Sequence, residues 1–122
     1  MPEYQYKTAV FCTLQFVGFH SWKEADGKNA FLRHIHRHQF HIKATVGVNG
    51  LDREIEFISL KEKIQKFVNE KYEGKTFPDS CEQLALDILR EFNLDEVTVS
   101  EDQENGATVT KIAFGATLAD PV

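Results

Sequence analysis

The chain lacks any apolar run near the roughly 20 residues needed to cross a bilayer as a helix. In 122 residues it has only two cysteines, three prolines, one methionine and one tryptophan. The first lack argues against a helical membrane span. Cys12 and Cys81 stand far apart and follow no metal-binding spacing, which argues against a thiolate zinc knot and a disulfide-stapled scaffold. Positive charge is also scarce. Fourteen Lys and Arg face nineteen Asp and Glu, a net charge of -5, so no nucleic-acid groove is expected. The opening residues Met1 to Lys7 are polar and lack the apolar core of a secretory leader. Both cysteines are therefore expected to be reduced, in a cytoplasmic protein.

Two things are present in quantity. Ten phenylalanines give one domain over residues 1–122 ample apolar area to bury. The five histidines all lie between His20 and His41, and histidine is the commonest ligand of transition metals.

Apolar periodicity supplies the elements. Tyr6 to Trp22 alternates, with Tyr6, Val10, Cys12, Leu14 and Phe16 on one side, the period of a half-buried strand. Ser21 to Asn29 reads as a charged loop. From His36 to Val48, Phe40, Ile42, Ala44, Val46 and Val48 share a face, and Asn49-Gly50 reads as a turn. Ser59 with Glu62 three residues later predicts a helix start, and Leu60, Ile64, Phe67 and Val68 give its apolar stripe. Asp79 or Ser80 is expected to cap a second helix, which buries Leu84, Ala85, Ile88, Leu89 and Phe92. A third strand carries Val97 and Val99, with Glu101 on the same face. Asn105-Gly106 reads as a hairpin turn, and Ile112, Phe114 and Ala116 as one face of a fourth strand. The order strand, strand, helix, helix, strand, strand predicts an α+β fold: a four-stranded antiparallel sheet with both helices on one face.

Parity sharpens the reading of the histidines. His20 shares the face of Cys12, Leu14 and Phe16, while His36 and His38 share the face of Phe40 and Ile42. If the two strands pair antiparallel, the end of the first meets the start of the second. Three imidazoles then converge, the donor set of a catalytic zinc site with an open fourth position. His34 has the same parity and is an alternative member. His41 falls on the polar face, where it is expected in solvent. Arg33 and Arg37 offer another reading, a small anion site beside the histidines.

In sequence the chain resembles the 6-pyruvoyltetrahydropterin synthase and 6-carboxytetrahydropterin synthase family. That family has a lone His after its first strand, matched by His20, and His-Gly-His-x-aromatic opening the second, matched by His36-Arg37-His38-Gln39-Phe40. Ile55 to Lys61 is similar to its Asp-Phe-x-x-Leu-Lys stretch, and Ser80-Cys81-Glu82-Gln83-Leu84-Ala85 to Thr-Ala-Glu-Asn-Leu-Ala. Val97 to Glu101 looks like the strand that ends in a ligand-anchoring glutamate.

The resemblance implies the tunnelling fold, with Zn2+ on His20, His36 and His38. It implies Glu101 as anchor for the N–H edge of a pterin or purine-like ring. It implies that Ser80, Cys81 and Glu82 line the ring pocket across a subunit interface, in a hexamer of two trimers. The reaction implied is that of a carbon–oxygen lyase on a reduced pterin triphosphate, as in the queuosine pathway.

The chain departs from the family where the proton chemistry lies. Leu32 stands where the family has its catalytic cysteine, and Asn69 to Glu73 offers no Asp-His pair. His34, Glu24 or a zinc-bound hydroxide would have to supply the base. Trp22, next to the metal ligands, is placed to stack on a flat ligand. The alternatives are a non-catalytic zinc protein that binds a purine nucleotide or pterin, and a zinc-assisted hydrolase of a nucleotide. Ser80 is also read as a helix cap, Glu82 as a complement to the helix N-terminus, and Cys81 as a small packing residue.

Overall fold

The computed structural model describes residue 3 and residues 5–112. Its elements are β1 (Thr8–His20), a 3-10 helix (Gly27–Arg33), β2 (His36–Val48), α1 (Phe57–Lys71), β3 (Thr76–Phe77), α2 (Cys81–Phe92), β4 (Glu96–Glu101) and β5 (Asn105–Thr110). The sheet order is β3-β1-β2-β4-β5. All neighbours are antiparallel except β3, which runs parallel to the end of β1. The α+β class, the antiparallel β1–β2 pair and the two helices on one face stand as expected. The strand count does not. A fifth strand exists because Thr76 and Phe77 pair with Phe19 and His20, and two residues are too short to show a period.

Alternation places the core on the helix side. Cys12, Leu14 and Phe16 of β1, Phe40, Ile42 and Ala44 of β2, and Val97 and Val99 of β4 are all buried. α1 lies against β1, while α2 lies against β4 and β5. α1 contributes Ile64 and Val68 to the core, and α2 contributes Leu84, Ala85, Ile88 and Leu89. Tyr72, just past α1, donates a hydrogen bond from its hydroxyl to the Asp87 carboxylate on α2. Burial and that carboxylate raise the phenol above its ordinary value, so it stays a donor.

Several boundaries differ from the sequence reading, each for a local reason. β1 begins at Thr8, and Tyr6 is exposed. Part of the expected loop after β1 is a 3-10 helix. α1 starts at Phe57 because the Glu56 carboxylate accepts from the Ile58 and Ser59 N–H groups, so Glu56 is the cap rather than Ser59. At α2 the Ser80 hydroxyl accepts from Gln83 N–H while the Gln83 side chain accepts from Ser80 N–H, a reciprocal capping box.

The last hairpin turns earlier than expected. Asp102 and Gln103 both have positive φ, and Asn105 already pairs with Glu101. Gly106 is a paired strand residue, and its need for glycine is steric. A Cβ there would sit 2.2 Å from the Val99 carbonyl oxygen. Ile112 follows β5 and is exposed. Phe114 and Ala116 lie outside the described residues.

Candidate metal centre

The β1–β2 register pairs His20 with His36 and Gly18 with His38. Three imidazoles from two adjacent strands therefore stand over one end of the sheet. β4 pairs with β2 so that Glu101 lies opposite Phe40, one layer below His38 on the same face. His20, His36, His38 and Glu101 each offer a ligand atom, and these atoms all lie within 4.8 Å of one another. The expected convergence of strand tips is realised, and the group can hold a metal ion.

What orients the rings is more informative than their clustering. His20 Nδ1 lies 3.1 Å from the Asp79 carbonyl oxygen and His36 Nδ1 lies 2.9 Å from the His34 carbonyl oxygen. A carbonyl only accepts, so both Nδ1 atoms carry the proton and donate. His38 Nδ1 lies 2.7 Å from a carboxylate oxygen of Asp102. In all three rings the second nitrogen, Nε2, is left for the centre. Outer partners that fix the tautomer and aim the free nitrogen are the usual support of metal-bound histidine.

The hydrogen bond lowers the Asp102 carboxyl below its ordinary value, first through His38 and then through the Gln39 N–H. Strand alternation would send Asp102 to the face opposite Glu101. Its left-handed backbone swings it back under His38 instead. The acidic pair Glu101-Asp102 was the available signal for this residue, and alternation hid it.

The floor of the site is apolar. Phe77 lies 6.0 Å, centroid to centroid, from the His20 ring and Phe40 lies 5.2 Å from it. Gly18 makes room for this layer, since a Cβ there would meet the Phe77 ring at 2.6 Å. His20 is 9% exposed and is held between the aromatic floor and the cleft above. A donor set of imidazole nitrogens and one carboxylate oxygen suits zinc and similar transition metals better than calcium or magnesium.

A cleft of about 1150 Å³ opens over this centre. It is lined by the three histidines, Glu101, Trp22, Glu24, Leu32 and the stretch Pro78 to Gln83, among others. Ser80, Cys81 and Glu82 thus face the histidine centre within one chain. Trp22 is half exposed at the rim. Burial pushes the Cys81 thiol up to about 12, with Glu101 and Glu82 adding to the rise.

Other sequence candidates fall outside the cleft. His34 caps the end of the 3-10 helix, and only its carbonyl reaches the site. Arg33 donates from Nε to the Ala25 carbonyl, and Arg37 points to the exposed side of β2, so the alternative anion site is not assembled. His41 is half-buried rather than solvated, 3.3 Å from the Gln103 amide.

No family model matches the sequence, and no curated protein matches it. Fifteen chains of solved structures match it, two of which show the likeness in fold. One is the 6-pyruvoyl tetrahydropterin synthase of Caenorhabditis elegans, with a TM-score of 0.69 at 14% identity, covering 88% of this chain and 97% of that one. The other is an uncharacterized protein from Wolinella succinogenes, with a TM-score of 0.71 at 10% identity, covering 88% of this chain and all of the other. At such identities the likeness establishes the fold, and that fold is the tunnelling fold the sequence resemblance implied.

Proposed function

We propose that this chain binds a reduced pterin or a related purine-like ring in the cleft, beside a zinc ion on His20, His36 and His38, and transforms it as a carbon–oxygen lyase. The observation that carries this reading is the set of three Nδ1 contacts, each leaving Nε2 free, in a group whose ligand atoms lie within 4.8 Å of one another. Rings that merely filled space would not need that arrangement.

In this reading Glu101 accepts hydrogen bonds from the N–H edge of the ring. Ser80, Cys81 and Glu82 form the wall beside it, and Trp22 covers one flat face. A zinc ion bound there supplies Lewis acidity, polarising a substrate oxygen and making the neighbouring C–H bond more acidic. Of the candidate bases, Glu24 lines the cleft and His34 does not, so Glu24 is the proton acceptor we assign. We place the protein in the cytoplasm, assembled as a hexamer of two trimers. Among the described residues no helix is long and apolar enough to cross a membrane.

One observation favours a second reading. Leu32, an apolar group, lines the cleft where the family it resembles has a catalytic cysteine. A protein that holds the ring without converting it would keep the metal and the wall and lose the acid and base. Incubating the zinc-loaded protein with dihydroneopterin triphosphate separates the two by mass spectrometry. A new product supports the lyase. A retained, unchanged pterin supports the binding protein. Neither product nor retention overturns both.

A further inference from the structure

The nitrogen atoms that face the centre do not face an empty middle. His20 Nε2 lies 2.7 Å and His38 Nε2 lies 3.2 Å from the same oxygen, Oε2 of Glu101. The Asp79 carbonyl oxygen and the Asp102 carboxylate accept hydrogen bonds from Nδ1 of these two rings. Each of these rings thus turns its other nitrogen, Nε2, toward that one carboxylate oxygen. In a tetrahedral zinc site with bonds near 2.0–2.2 Å, neighbouring donors sit about 3.3 Å apart. The His38 contact has that spacing, the His20 contact is shorter, and the four donor atoms all lie within 4.8 Å of one another, close enough for a single cation to gather.

We infer that Glu101 is a shared ligand: with the cleft empty it completes the cation's coordination, and a seated ring draws it away and opens the fourth position. This rests on the proposed function, because the release requires a ring with an N–H edge. Glu101 ends β4 just before the left-handed residues Asp102 and Gln103, and its side chain is 27% exposed at the cleft. It is the only carboxylate among the four grouped donors. Occupancy of the ring site and openness of the metal site are then coupled through one side chain, each weakening the hold of the other on it. The consequence is a cation that stays closed to water and stray ligands until the ring has arrived.

Cobalt(II) in place of zinc reports the coordination by absorbance, without any need for turnover. The wild type, Glu101→Gln and Asp102→Asn are loaded with cobalt and titrated with unsubstituted pterin as the probe. Asp102→Asn should retain the wild-type spectrum and lose roughly 10–100-fold in affinity, as an outer partner does. Glu101→Gln should lose more affinity than that and show a spectrum altered before any pterin is added. Pterin should move the wild-type spectrum toward that of Glu101→Gln and leave the variant's spectrum unchanged. Coincident spectra and affinities for wild type and Glu101→Gln would show that the short contacts are held by a shared proton, and the inference falls while the three-histidine site survives. A wild-type spectrum unmoved by pterin that equilibrium dialysis shows to be bound overturns the release, whereas pterin that does not bind overturns the ring reading on which it rests. Failure of every form to bind cobalt removes the metal reading itself.

Discussion

From Cys12 to Phe16 on β1 and from Phe40 to Ala44 on β2, the inward side chains are apolar and buried. A few residues along the same faces stand His20, His36 and His38. The two stretches share strands, register and parity, yet they are held by different forces. In the first, Phe16 and Phe40 stack with centroids 5.0 Å apart, and volume and shape decide the arrangement. In the second, each ring is fixed by one directional contact to an oxygen outside the cluster. Strand alternation therefore carries side chains to a place, but only in the polar stretch does a partner decide which atom faces inward.

Substitutions that hit one stretch and spare the other would break or sharpen this contrast. The largest effect is expected from Phe16→Ala, about 3–5 kcal/mol of destabilisation from the lost ring and the void it leaves. Denaturant titration should show it, and metal retention should fall with the fold. His36→Ala should do the reverse. The partly exposed ring contributes little packing, so the urea midpoint of the metal-free protein should hardly move. Zinc retention through gel filtration, read by elemental analysis, should be lost. If that midpoint collapsed as in Phe16→Ala, the histidine stretch would be core after all.

Ser80→Ala removes the α2 cap beside the cleft and should cost about 1 kcal/mol in a thermal melt, with zinc still bound. The smallest effect belongs to pH. The Asp102 carboxyl is depressed in the folded state, so its contribution is present above the unfolded value near 3.9 and is lost as the pH falls through the lower folded value. The stability difference between the wild type and Asp102→Asn should therefore shrink below about pH 4. A difference that grew in acid would contradict the contact.

The same contrast explains what could be read in advance. Burial leaves a periodic trace, so both long strands, the α1 and α2 stripes and the facing of His20, His36 and His38 were legible from the positions of Leu14, Phe40, Ile64 and Leu84. Directional contacts leave no periodic trace; residue type marked the Ser80 cap, but not the others. Glu56 caps α1 through two backbone N–H groups, and nothing in its neighbours' polarity marks that. Asp102 reaches His38 only because its backbone is left-handed, which reverses the side its number predicts. Asn105-Gly106 resembled a turn by composition, but the glycine is there because Val99 and Ser100 crowd it from the neighbouring strand. β3 was missed because pairing over Thr76 and Phe77 is a tertiary event.

Two of the three oxygens that steer the imidazoles, those of His34 and Asp79, belong to the main chain. No codon change can delete a peptide carbonyl. Across any lineage descending from this chain, mutation could loosen a cation held by these rings without touching a ligand at only one of those three supports, the side chain of Asp102. That position is accordingly where natural drift, or a protein engineer, would adjust metal affinity in small steps.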